Sequence, residues 1–119
     1  MVLGLCLIAP AAAADDGDRN FQATLEKGRA IAEANCSPCH AVGPTDASPT
    51  RVNANTAFRM LYERYPIPML EQAAKTGSVS GHDEMPGFDF ALEDARALLA
   101  YIDSLTPDQP GYVPRPGKP

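Results

Sequence analysis

Cys36-Ser37-Pro38-Cys39-His40 brings two thiols and an imidazole together within a single short stretch. This C-x-x-C-H spacing is the attachment signature of a c-type haem. Two thiols at this separation reach the two vinyl groups on one edge of a porphyrin and form thioethers. The next residue then points its imidazole at the iron from the same side, and a turn of helix arranges all three. Covalent attachment keeps the axial histidine at high effective concentration. Other uses of the motif fit less well. A redox-active C-x-x-C belongs near a strand–helix–strand pattern, and no such alternation is present. A structural zinc site takes four ligands, and His82 is the one obvious addition.

An iron held by His40 has a second axial position. Met85 is the candidate for it, in the Pro/Gly loop HDEMPGFDF at 82–90. A thioether is a soft, neutral ligand, and His/Met ligation raises the reduction potential. Methionine also fills cores, which is the reading for Met60 and Met69. The acids before Met85 and Pro86-Gly87 after it set that residue apart. His82 is the rival ligand.

Helices and loops must position these groups. Residues 15–22 read as a loosely packed arm. From Thr24, read as the N-cap, to Asn35 the pattern is helical, with Leu25, Ile31 and Ala32 near one face. Gly28 sits inside that helix, where glycine costs about 1 kcal/mol against alanine, and so suggests close approach of another chain segment. Residues 41–55 read as loop. A short helical stretch covers Thr56–Arg64, and a second covers Met69–Thr76, with Pro68 at its start and Gly77 as its stop. Residues 78–90 read as loop again, with no convincing strand. The last helix is the clearest, with Leu92, Ala95, Leu98, Leu99, Ile102 and Leu105 on one face and Pro107 ending it. Arg59 is a candidate contact for a haem propionate.

The chain has 119 residues, enough for one domain, with twelve prolines and nine glycines but no tryptophan. A loop-rich domain of this size is marginal on its own core, and a large apolar cofactor would compensate. Fifteen acids against ten bases give a formal charge of −5. No basic stripe is present to neutralise phosphates, which argues against nucleic acid as a partner. The charge suits transient partners met through complementary patches. Residues 1–14, MVLGLCLIAPAAAA, read as a secretory signal peptide cleaved after Ala14, which also removes Cys6. They are too short to span a bilayer, so no membrane span is expected in the mature chain. This divides the chain into a signal peptide at 1–14, a domain at 15–106 and a Pro-rich tail at 107–119, with export to the periplasm.

The motifs GRAIAEANCSPCHAVG at 28–43, HDEMPGFDF at 82–90 and LEDARALLAYIDSL at 92–105 resemble those of the class I monohaem cytochromes c of the bacterial periplasm. The resemblance implies an all-α fold, three to five helices wrapped around one covalently bound haem c, with long irregular loops. It implies that the first and last helices cross at a small residue and an aromatic, which here match Gly28 and Tyr101. It implies a proline carbonyl against the axial histidine, from Pro44 or Pro49. The expected function is single-electron transfer between redox proteins, a dehydrogenase, an oxidase or another cytochrome, by a non-enzymatic monomer or loosely bound subunit. The alternatives are a cytochrome subunit of a periplasmic dehydrogenase or oxidase complex, and a haem sensor or enzyme with a displaceable sixth ligand.

Overall fold

Two helices meet backbone to backbone at a glycine. In the computed structural model, which describes residues 16–47, 57–63, 65, 69, 72, 76, 78–79 and 85–107, helix α1 spans Asp16–Asn35 and helix α2 spans Leu92–Leu105. A Cβ built on Gly28 would lie 2.8 Å from the Cβ of Tyr101 and 2.6 Å from the carbonyl carbon of Ala97, with the Ala97 oxygen nearer still. This close approach is the physical reason for a glycine in mid-helix, where its low propensity is otherwise a cost.

The first helix begins earlier than its apolar spacing predicts. The segment read as a loose arm is helical from Asp16 onward. Asp16 and Asp18 lie in the first turn, where the helix dipole favours negative charge. Arg19 pairs with Asp16 one turn away at 3.1 Å, a further local contribution. Thr24 is not an N-cap. It lies inside the helix and its hydroxyl donates to the Asn20 carbonyl at 2.9 Å, the usual back-bond of a mid-helix threonine. The first turns are mostly polar and exposed, so they present no apolar stripe for a periodicity argument to find.

The last helix follows its apolar spacing, except that Asp103, expected on the polar face, is buried at 4 % exposure. Ala95, Ala97, Leu98, Leu99, Tyr101 and Ile102 are buried, although Leu92 at its start is 42 % exposed. Across the crossing, Lys27 pairs with Glu93 at 2.6 Å and with Asp94 at 2.8 Å. Such exposed pairs contribute little individually, and here both link α1 to α2 beside the crossing. Thr106 closes α2: its N–H donates to the Asp103 carbonyl at 3.1 Å and its hydroxyl to the Ile102 carbonyl at 3.1 Å.

Between the helices, the short helical stretch is a 3-10 helix, Phe58–Glu63, entered through a bond from Met60 N–H to the Ala57 carbonyl at 2.9 Å. Thr56, Arg64, Pro66 and Pro68 lie outside the described residues. Met69, Gln72 and Thr76 are helical, within the second short stretch expected there. Met69 is not core filler, being 59 % exposed; Met60 is half-buried. The segment read as strandless loop contains a small antiparallel ladder. Strand β1, Ser78–Val79, pairs with β2, Phe88–Asp89, in the register Ser78 to Asp89 and Val79 to Phe88. Two residues per strand are too few to show alternation. Phe88 and Phe90 point the same way and stack with ring centroids 5.6 Å apart.

The core gathers Ala32, Cys36, Val42, Phe58, Leu98, Tyr101 and Ile102, with Ile31, Leu61, Phe90 and Leu105 packed on it. Phe90 also covers a second small cluster of Ala95 and Leu99. The architecture is thus all-α, with the ladder as a local clasp. One of the two motif cysteines belongs to the core itself.

Candidate haem site

The motif continues α1 by one further turn. Cys36 N–H donates to the Ala32 carbonyl at 2.8 Å, Cys39 N–H to the Cys36 carbonyl at 3.1 Å, and His40 N–H to the same carbonyl at 2.8 Å. Positions i, i+3 and i+4 on a helical turn share a face, so both sulfurs and the imidazole stem from one side. The exposed carbonyls at the helix end are met by side chains. Asn35 donates to Ile31 at 2.8 Å and Ser37 to Glu33 at 2.7 Å, as helix termini require.

The three side chains have different surroundings. Cys36 is buried at 7 % exposure, and Cys39 is exposed. They are free thiols, not joined in a disulfide. Burial, and secondarily the neighbouring Cys39, pushes the Cys36 thiol up to about 11, so it is protonated at neutral pH. The His40 ring is half-buried and rests on Phe58, with centroids 5.5 Å apart and planes tilted by 51°.

The segment after His40 is tied down at successive residues. The Ala41 carbonyl accepts the Phe58 N–H at 2.9 Å, and the Val42 carbonyl accepts the Tyr101 hydroxyl at 2.8 Å. Gly43 N–H donates to the Asp46 carboxylate at 2.7 Å. The Asp46 carbonyl in turn accepts the Arg59 guanidinium at 3.0 Å. Arg59, considered for a propionate, therefore spends one N–H on this loop. Pro44 lies inside the loop and is exposed, whereas Pro49 lies outside the described residues, as does His82. Met85 is half-buried on a bend, ahead of two exposed residues, Pro86 and Gly87.

Three participants in this geometry escaped the sequence reading: Phe58 as the wall of the His40 ring, Asp46 as a loop tie, and the Tyr101 hydroxyl as a donor. Asp46 had a local signal, since an Asp near a Gly-Pro pair favours side-chain-to-backbone turns. The Tyr101–Val42 bond joins residues 59 apart and has no local signal.

Burial also raises the Tyr101 phenol above its ordinary value of 10.0, against a smaller opposing pull from Arg29. The folded state thus holds this proton more tightly than the unfolded chain. The resulting stability is complete below pH 10 and is lost as pH rises through the folded value. Denaturation midpoints measured from neutral to strongly alkaline pH should fall beyond that point, and Tyr101→Phe should remove part of the fall.

The family model described as cytochrome c matches residues 25–106, from within α1 to just past the end of α2. No curated protein and no solved structure matches the chain.

Proposed function

The chain belongs to the cytochrome c family, and from that premise we propose that it is a monomeric carrier of single electrons between redox proteins of the periplasm, with its iron held between His40 and Met85. Family membership brings a covalently bound haem c and haem-based electron transfer. Cytochrome c domains usually work outside the cytoplasm. Among the described residues, no helix is long and apolar enough to cross a membrane.

The donor set fits the group. Two free thiols and an imidazole leave one helical turn on the same side, and that is the observation carrying this reading. Cys36 and Cys39 would form the thioethers, with His40 and Met85 as axial ligands. Bound there, the haem supplies a one-electron couple. The protein's task is to hold the ligands still. Cys36 is anchored in the core beside Ala32, Phe58 and Tyr101, so its sulfur has a fixed origin. Exposed Cys39 marks the side nearer solvent, where a partner could approach. Phe58 limits the swing of the imidazole. Ligands fixed in both oxidation states keep reorganisation small, as a carrier requires. Docking of such a carrier is expected to be brief, small in area and sensitive to salt.

The ferric visible spectrum tests the ligation. A low-spin form with a methionine-to-iron charge-transfer band is expected, and Met85→Ala should abolish that band. Survival of the band in Met85→Ala would contradict the assignment. A high-spin ferrous form that takes up CO at once would contradict the closed carrier.

A further inference from the structure

Resting on the reading of His40 as an axial ligand, we infer that Asp46 and Tyr101 are positioning residues for its imidazole, acting through the backbone of Ala41–Gly43. Four hydrogen bonds converge on the six residues that follow His40. Two come from backbone and side chain of the 3-10 helix: Phe58 N–H to Ala41 at 2.9 Å and Arg59 to Asp46 at 3.0 Å. One comes from α2, Tyr101 to Val42 at 2.8 Å. The fourth is internal, Gly43 N–H to the Asp46 carboxylate at 2.7 Å. The same carboxylate occupies the space beside Gly43 so closely that a Cβ there would lie 2.6 Å from both of its oxygens. The turn is thus closed by a hydrogen bond and by fit together.

The ties form a short circuit around His40. Its ring leans on Phe58, while the backbone of Phe58 is bonded to the residue after His40. Ala41 and Val42 are buried at 1 % and 4 % exposure, so their carbonyls depend on these partners instead of water. Tyr101 serves this circuit with its hydroxyl and the α1–α2 crossing with its Cβ. Loosening the strap would let the imidazole turn and admit water, which favours the more highly charged ferric state. Neighbours that orient an axial histidine tune its metal in this way.

The test compares Asp46→Ala, Asp46→Asn and Tyr101→Phe in the haem-loaded full chain, with Arg19→Ala as a control in the exposed first turn of α1. Amide exchange at Gly43 should become about three- to tenfold faster in Asp46→Ala. Asp46→Asn, which keeps an oxygen for Gly43, should stay near the unmodified rate. Tyr101→Phe keeps the Cβ against Gly28 and loses only the hydroxyl. Asp46→Ala and Tyr101→Phe should both move the ferric proton resonances of the His40 ring and lower the midpoint potential, while Arg19→Ala leaves both in place. Faster Gly43 exchange with unchanged His40 resonances and potential would overturn the inference and reduce the strap to a scaffold. An equal response from Arg19→Ala would also overturn it. If the unmodified protein shows no hyperfine-shifted His40 ring signals, the ligation reading itself is wrong and this inference falls with it.

Discussion

Gly28→Ala is expected to destabilise the protein, although the same change in an isolated helix would stabilise it by about 1 kcal/mol. The added methyl would be driven into the Ala97 carbonyl and the Tyr101 side chain. Neither can move aside without displacing α2, because Ala97 is helix backbone and Tyr101 is held by Val42. Gly28→Val should cost more, about 3 kcal/mol by the usual penalty of overpacking. Against a domain stability of about 5–15 kcal/mol, that is a large fraction. Urea midpoints of the haem-loaded chain read both variants. A higher midpoint for Gly28→Ala would show that the helices do not meet at this residue.

Replacing both motif cysteines should have the largest effect on the cofactor. In the Cys36→Ala/Cys39→Ala chain, all haem should pass into acidified organic solvent, whereas in the unmodified protein none should. The single variants should differ from one another. Cys39 is exposed, so its replacement removes one thioether and disturbs little packing. Cys36 packs in the core with Ala32, Phe58 and Leu98, so Cys36→Ala also deletes a buried atom and should lower stability further. Equal losses from the two single variants would contradict that asymmetry. The small core explains why the bond matters: a domain of this size gains only a marginal surplus from burial alone.

The candidate site was legible in the sequence wherever its geometry is local. Five consecutive residues, Cys36 to His40, specify a turn, a spacing and a reaction at once. The apolar repeat of α2 announced a helix with its correct ends, Leu92 and Leu105, because six large or small apolar residues share one face. Gly28 was legible as a close approach because glycine is costly in a helix without one. The start of α1 was hidden for the opposite reason. Asp16 to Ala23 form helix through charge placement and propensity, and such helices carry no stripe. The β1–β2 ladder was hidden by its brevity, two residues on each side. The ties on the His40 loop were hidden by distance along the chain. Tyr101 reads as one more apolar-face residue until its hydroxyl is seen on Val42. Arg59 reads as a partner for an anion, and its bond to the Asp46 carbonyl carries no local signal.

The alkaline fall in stability tied to Tyr101 and the loss of the charge-transfer band in Met85→Ala probe different parts of the proposed site. One reports the crossing and the strap behind His40, and the other the loop ahead of α2. Both presuppose haem on the motif. The most direct test of that premise is the mass of the tryptic peptide 30–51, bounded by Arg29 and Arg51 and containing both Cys36 and Cys39. In protein produced with its export and haem-attachment machinery, this peptide should carry the added mass of one haem, retained under denaturing conditions. The same peptide recovered with two free thiols, or with a Cys36–Cys39 disulfide, would contradict the account.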